Sequence, residues 1–240
     1  MAGCVAAWRS ERPPLTANAA PRMMNKGLEP ECPIKHAAVV NTKAIPLFPL
    51  QTVLFPGGPL PLRVFEPRYL DMVSRCMKDS EPFGVLLVAE GPEVGGKAAI
   101  MHTQAVGTLA TICDWYQGTD GLLGITALGG DRFRLLSMTR QDDGLSIGEV
   151  ELIEPEAYTP LPDKYALMSD LLRGVIEDLG RLYETVEKHY DDMSWVGFRF
   201  AEILPLDLQR KQYCLEMEDP LARLEFLRPF LRAIREEQTQ

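Results

Sequence analysis

Hydrophobic and polar residues follow three different patterns along this chain. Over residues 1–43 no apolar period of two or 3.6 positions lasts for more than a few residues, and five prolines would interrupt any helix. From 44 to 155 short apolar runs alternate with turn residues, which predicts β structure. From 156 to 240 apolar residues recur every three or four positions, which predicts helices. We therefore expect a flexible leader over 1–43, a β-rich subdomain over 44–155 and a helical subdomain over 156–240.

The β-rich segment divides into six or seven short strands separated by turn residues such as Gly, Pro and Asp. Because Pro46 and Pro49 lack a backbone donor, the first strand must be an edge strand or a short irregular one. Strands of this length and spacing predict a closed or nearly closed β-barrel, with a hairpin turn at 117–121. The predicted strands lie at 45–50, 60–65, 83–89, 106–116, 122–128, 132–139 and 145–153.

One helix is predicted within the β-rich segment and four after it, so the fold class is α+β. Pro67 favours the start of the inserted helix because its fixed φ suits the first helical position. In the C-terminal segment two apolar stripes predict one long helix from residue 163 to about residue 190, packed against more than one neighbour. Capping residues and apolar spacing predict shorter helices over 194–204, over 207–216 and from 219 onward.

Composition narrows the class of protein. With 46% hydrophobic and 25% charged residues in a chain of 240, the sequence is typical of a globular protein with a buried core. The net charge of -9 argues against general binding to nucleic-acid phosphates, which requires clustered Lys and Arg. No apolar run approaches the length of about 20 residues that a membrane helix needs, so no membrane association is expected.

Cysteine usage and the N-terminal sequence both favour the cytoplasm. Five cysteines, an odd number, are scattered along the chain, which is typical of reduced thiols rather than a disulfide framework. The N-terminus lacks the basic region and the apolar length of a secretory signal. The three arginines of the leader allow a transit peptide as an alternative, although its prolines oppose the required amphipathic helix.

Motifs for catalysis, metal binding and cofactor binding are absent from the sequence. Gly95-Gly96-Lys97 resembles part of a phosphate-binding loop, but alanines follow where a hydroxyl residue should hold magnesium. Cys32 and His36 have the spacing of a zinc pair, yet Pro33 separates them and no second ligand pair exists. No Gly-x-Ser-x-Gly elbow occurs. We therefore predict no catalytic residue, no metal and no cofactor, while a catalytic pair assembled in space stays open.

One region carries a long and specific signature. Residues 45–50 and 55–73, rich in Pro, Gly and aromatic residues, closely resemble the N-terminal LON domain of Lon proteases, which also occurs in free-standing bacterial proteins. Further similar positions lie at 106–109, 129–133, 211–216 and 219–225, so the resemblance covers about 44–232. It implies a PUA-like β-barrel with one inserted helix, followed by a C-terminal α-helical bundle.

The resemblance also implies a function without the chemistry of the full protease. In Lon proteases this domain contributes to recognition of unfolded or tagged substrates. The sequence ends at Gln240 with no Walker motif and no Ser/Lys peptidase dyad, so we expect no ATPase or protease activity. We expect a non-enzymatic binding module linked to proteolysis or quality control, with flexible or unfolded polypeptide segments or a protein partner as its ligand.

Three aromatic residues, Phe55, Trp115 and Tyr116, form the candidate binding site. Trp115 and Tyr116 adjoin the predicted hairpin turn and point to opposite faces of their strand, so at most one can enter the core. An outward aromatic side chain is a favoured binding anchor, although it can instead cover the hairpin or pack on the long helix. With Phe55 in the nearby Pro-Gly loop, we expect an apolar contact surface at the hairpin tip.

Two other functions fit the sequence as alternatives. The first is a hydrolase with its site in the cleft between the barrel and the bundle. The second is an RNA-binding protein, since PUA-like barrels often bind RNA, but the acidic charge counts against it. The sequence indicates neither the identity of a partner nor the oligomeric state.

Overall fold

A computed structural model describes residues 42–88, 103–118 and 121–237 of the chain, without the side chains of 233–237. The described residues form one mixed six-stranded sheet and five α-helices, an α+β fold. The predicted leader lies outside these residues except for Thr42 and Lys43, which begin the first strand. The strands are β1 (Thr42–Leu50), β2 (Pro59–Val64), β3 (Phe83–Leu87), β4 (Val106–Gln117), β5 (Leu123–Arg140) and β6 (Ser146–Leu152).

The sheet is organised around β5, which pairs with three other strands. Its order is β2-β5-β4-β3-β1-β6, and β6 pairs in addition with β5. The first part of β5 pairs with β2 and β4, and the second part pairs with β6. The sequence predicts two strands over this region, but Gly129 and Gly130 continue a single strand of 18 residues. The pairing of β5 with both β4 and β6 therefore brings the sheet back on itself.

The first strand is not an edge strand, contrary to the expectation from its prolines. Residues 42–47 of β1 pair antiparallel with β6, and residues 47–50 pair parallel with β3. Pro46 lies where only β6 is paired, and Pro49 lies where only β3 is paired. Each proline can therefore direct its missing donor to the unpaired side, and the ladder tolerates both.

The helices are α1 (Pro67–Asp79), α2 (Ala166–Leu179), α3 (Met193–Ile203), α4 (Leu208–Glu216) and α5 (Pro220–Glu237). The predicted long helix to residue 190 is wrong, because α2 ends at Leu179 and the next residue, Gly180, has a φ of +53°, outside the right-handed helical region. A 3-10 turn and irregular chain follow until α3. The predicted caps at Asp207 and Asp219 are present, since each carboxylate accepts a backbone N–H from the first turn of its helix.

Only one of the two apolar stripes of α2 is covered by other described residues. Leu172 and Ile176 are buried in the core, whereas Leu167 is 76% exposed and Leu171 is also exposed. The expectation that both sides of this helix are packed is therefore wrong for the side that carries Leu167 and Leu171.

Three clusters of buried apolar residues hold the described elements together. One of them lies among the strands and consists of Ile45, Leu47, Leu86, Phe133 and Val150. Beneath α1, Phe48 of β1 stacks on Tyr69 with ring centroids 4.1 Å apart, and Phe83 lies beside them. On the other side α3 is buried almost along its whole length, between the sheet and α5. The sheet and the C-terminal helices therefore share one core across α3.

Candidate functional site

Two of the candidate aromatic residues, Trp115 and Tyr116, lie at the end of the hairpin formed by β4 and β5. The predicted hairpin is confirmed: Trp115 pairs with Ile125, and Tyr116 pairs with Gly124. The ring of Tyr116 lies across Gly124, where a β-carbon would overlap it. The tip residues 119 and 120 lie outside the described residues. The sheet thus holds the backbone of both aromatic residues in a defined register.

Neither aromatic side chain enters the core. Trp115 is 59% exposed and Tyr116 is 50% exposed. Trp115 shares a face of the sheet with Ile125, which is fully buried, but it lies closer to the hairpin tip and remains largely exposed. Two large aromatic surfaces are therefore accessible on opposite faces of one strand.

Phe55 does not belong to this surface, so the prediction that it contributes to an exposed contact area is wrong. Its side chain is 0% exposed, and its ring centroid lies 6.0 Å from that of Phe198 in α3. The Pro-Gly loop turns Phe55 into the shared core, so it stabilises the fold instead of contacting a partner.

A third exposed aromatic residue, Phe65, was missed by the sequence analysis. It follows directly after Val64, which pairs with Leu123, and Leu123 in turn pairs with Gln117. Phe65 is therefore at the same end of the sheet as Trp115 and Tyr116, and it is 66% exposed. The sequence signal for Phe65 was its position directly after 60–64, a run in which apolar residues alternate. We call Phe65, Trp115 and Tyr116 the aromatic end.

A second candidate is a small pocket between the sheet and α3, with a volume of about 200 Å³. It lies where the alternative hydrolase site was expected. Gly57 of the Pro-Gly loop lines the pocket, together with charged, hydroxyl and aromatic side chains that include Asp131, Arg132, Glu156, Ser194 and Trp195.

Glu156 is the centre of a buried ionic cluster at this pocket. Its carboxylate lies 3.0 Å from Nη2 of Arg132, and Nη1 of Arg223 donates to it at 3.0 Å. The Ser194 hydroxyl donates to the same carboxylate. Burial lowers the pKa of Arg132, and the Glu156 charge opposes that effect. Arg132 and Arg223 also donate to backbone carbonyls at the end of α4, so the cluster joins β5, the 152–163 connection and the helices.

The cluster is poorly suited to hydrolysis. The Glu156 carboxylate already accepts hydrogen bonds from the guanidinium group of Arg223 and from Ser194, and it pairs with Arg132, so its oxygens are occupied. The residues that line the pocket include no His, Cys or Lys that could serve as a base instead. Across the described residues no group of three or more His, Cys, Asp or Glu side chains could hold a metal ion. The arrangement fits structural reinforcement better than catalysis.

The Pro-Gly loop, residues 55–59 of the sequence signature, is held in place by contacts with α3. Arg199 donates from Nη2 to the Pro56 carbonyl at 2.8 Å, and its Nε lies 3.0 Å from the Glu202 carboxylate. Gly57 has a φ of +68°, and a β-carbon at Gly58 would lie 2.8 Å from Glu202 Oε1. Burial raises the pKa of Glu202, although Arg199 acts in the opposite direction. The signature thus contains the glycines that let this loop approach the ion pair.

The comparison with known families identifies one family over most of the chain. The ATP-dependent protease La (LON) substrate-binding domain matches residues 44–233. This chain belongs to the LON substrate-binding domain family. The match spans both the sheet and the C-terminal helices. The LON resemblance predicted from residues 45–73 is therefore confirmed.

One solved structure and two relatives are similar to this chain. A Lon N-terminal domain protein from Xanthomonas campestris is 36% identical, with a TM-score of 0.62, and the match covers 77% of this chain and 96% of that one. Lon protease 2 of Myxococcus xanthus is 25% identical over 92% of this chain and 26% of its own length. Cereblon of Xenopus tropicalis is 29% identical over 51% of this chain and 26% of its own length. The chain spans about a quarter of the length of each of these two relatives.

No helix among the described residues of this LON domain is both long enough and apolar enough to cross a bilayer.

Proposed function

We propose that this LON domain is a non-enzymatic module that binds flexible or unfolded polypeptide segments through its aromatic end. The observation that carries the proposal is the exposure of Trp115 and Tyr116 on a strand whose other end is buried at Val106, Gly107, Thr108 and Ala110. Aromatic side chains bury much area at a small entropic cost, so exposed rings on a rigid strand are effective anchors. The family supports a role in substrate binding.

The proposal includes a place in proteolysis or quality control. Its support is the similarity to proteins named Lon protease and to cereblon, each of which is about four times as long as the matched part. The β-rich part of the chain is proposed to be a PUA-like barrel. The support for this is the pairing of β5 with both β4 and β6. A cytoplasmic location fits the free thiols of the described cysteines Cys76, Cys113 and Cys214.

Neither alternative function has a specific observation in its favour among the described residues. The hydrolase would need a base for Ser194, and Glu156 is already shared by two arginines. RNA binding would need clustered cations, whereas the net charge is -9.

The test uses fluorescently labelled β-casein, an unfolded polypeptide, in an anisotropy titration with the full chain. We expect Trp115→Ala or Tyr116→Ala to weaken binding by about ten-fold, because each removes an exposed anchor. Leu136→Ala is the control, since Leu136 is also exposed but lies toward the opposite end of β5. Thermal melting of all three variants should stay within about 2 °C of the unsubstituted protein, as expected for surface substitutions. Binding that is unchanged in both aromatic variants would refute the aromatic end as the site.

A further inference from the structure

The hydrogen-bond phase of the hairpin determines which backbone groups of β4 face outward. Gly118 donates to the Leu122 carbonyl at 2.8 Å, so these two residues form a hydrogen-bonded pair. Such pairs alternate along an antiparallel ladder, which places Tyr116 and Asp114 in the bonded positions opposite β5. The N–H and C=O groups of Trp115 and Gln117 therefore point away from β5, toward the other edge of β4.

That other edge has no partner strand in the part of the chain that the structure describes. The strand β3 pairs with β4 only at residues 108–110. Beyond them, residues 111–117 pair with β5 alone. We call the backbone of 111–117 on the side away from β5 the open edge.

The opposite edge of this part of the sheet is closed to pairing by its sequence. Gly129 donates to the Gly58 carbonyl at 2.9 Å, which makes 60, 62 and 64 the residues of β2 that bond to β5. Pro59 and Pro61 then direct their missing donors outward, where a further strand would need them. Near the aromatic end, the open edge of β4 is thus the side that can accept another strand.

The open edge is partly protected by one of its own side chains. Asp114 Oδ1 accepts the outward N–H of Trp115 at 2.8 Å. A residue is also inserted between Ile112 and Asp114 relative to β5, which forms a β-bulge. Side-chain acceptors and bulges are common at edges, because they oppose uncontrolled pairing. An incoming strand would have to displace the Asp114 carboxylate.

We infer that the polypeptide segment recognised by this LON domain binds as an additional β-strand along the open edge. The inference rests on the proposed function and specifies how the segment is held. Main-chain hydrogen bonds to Trp115 and Gln117 supply binding that does not depend on the sequence of the segment, which suits a recogniser of unfolded chains. The ligand is thus an extended polypeptide without proline at the positions that bond to the edge.

The aromatic side chains give the open edge a preference for certain side chains in the extended polypeptide that it binds. Trp115 and Tyr116 project from opposite faces of β4, so a strand at the open edge has an aromatic neighbour on each face. Cross-strand pairs of aromatic and β-branched residues are favourable, which predicts that segments with Val, Ile or aromatic residues at alternate positions bind best.

The test uses a neutral ten-residue peptide in which valine alternates with threonine or glutamine, with a fluorophore at one end. Two further versions carry N-methyl groups at the odd or at the even residues, which removes the donors from one edge of the peptide. We expect one methylated peptide to bind about ten-fold more weakly than the unmodified peptide and the other to bind within about two-fold. Equal behaviour of the two methylated peptides would overturn the inference. If β-casein binding still depends on Trp115 in that case, the proposed function stands without the added strand.

Variants of Asp114 test the edge from the side of the protein. Asp114→Ala removes the competing acceptor and should strengthen peptide binding by about three-fold, whereas Asp114→Asn keeps an acceptor oxygen and should change it less. Asp142→Ala, in an exposed turn, is the control for the loss of one negative charge. Unchanged or weaker binding by Asp114→Ala contradicts the inference. So does a dimer in sedimentation that the peptide fails to dissociate, because the open edge would then belong to a second copy.

Discussion

The backbone of Gly129 lies against the carbonyl oxygen of Phe55, so closely that a β-carbon at position 129 would overlap that oxygen. Two backbone hydrogen bonds hold the approach, from Gly57 N to Gly129 O at 2.7 Å and from Gly129 N to Gly58 O at 2.9 Å. The loop that starts at Phe55 is thus fastened to the middle of β5. Because Phe55 also packs on Phe198, this contact connects the sheet to α3.

The first prediction concerns this approach. Gly129→Ala should lower the free energy of unfolding by at least about 2 kcal/mol, because the methyl group meets backbone that cannot rotate away. The adjacent Gly130→Ala is the control, since a β-carbon there has its nearest atoms at 3.7 Å. It should change the stability by less than about 0.5 kcal/mol. Urea denaturation of both variants measures the difference. Equal stabilities would show that the loop moves to accommodate the methyl group.

The second prediction concerns the ionic cluster at Glu156. Glu156→Ala leaves the buried guanidinium groups of Arg132 and Arg223 without their shared counter-ion, which should cost about 3 kcal/mol of folding free energy. Glu154→Ala removes an exposed carboxylate nearby and should have little effect. Chemical denaturation at pH 7 compares the two. A loss below about 1 kcal/mol for Glu156→Ala would mean that the arginines find other partners.

The third prediction uses the buried carboxyl of Glu202. Because burial raises its pKa above the ordinary value of 4.5, the folded protein binds this proton more tightly than the unfolded chain does. The stabilisation from that proton is present below pH 4.5 and is lost as the pH rises through the pKa of the folded state. Glu202→Gln cannot titrate, so its stability relative to the unsubstituted protein should improve as the pH increases.

Unfolding midpoints from pH 4 to pH 8 measure this change for both proteins. Only the slope of the difference is informative, since glutamine also weakens the contact with Arg199 at every pH. A difference that stays constant over the whole range would contradict a raised pKa.

The fourth prediction concerns the start of the fold. The proline-rich composition before residue 42 offers no apolar face, so a chain lacking residues 1–41 should melt within about 5 °C of the full chain. Removal of residues 1–46 should lower the melting temperature by more than that, because it deletes Ile45, which is buried, and most of the β1–β6 ladder. Similar melting of the two truncated proteins would show that this ladder contributes little.

Local signals predicted much of this fold. The caps at Asp207 and Asp219, the start of α1 at Pro67 and the β4–β5 hairpin each depend on a few neighbouring residues, and all were predicted correctly. The extent of α2 could not be predicted in this way. The apolar spacing continues beyond Gly180, but the residues there form a 3-10 turn and irregular chain. Their buried side chains, Tyr183 and Val186, belong to the same apolar cluster as α3.

Residues that act through distant contacts escaped the sequence analysis. Phe55 carries no local sign that its partner is Phe198, so its burial was missed. The convergence of Arg132, Glu156 and Arg223 likewise depends on how the helices return to the sheet. Trp115 and Tyr116 were correctly placed beside a hairpin turn, because that position depends on adjacent strands alone.

The pairing of β1 with β6 has a consequence for the newly synthesised chain. β1 is made first and can pair with β3 soon afterwards, but its other partner emerges from the ribosome about 100 residues later. At about 5–20 residues per second, the β6 side of β1 is unpaired for several seconds or longer. Because Pro46 directs its missing donor away from β6, it removes no hydrogen-bond donor from the side of β1 that pairs with β6. The interval before β6 is synthesised is therefore the period in which this side of β1 is open to pairing with a foreign chain.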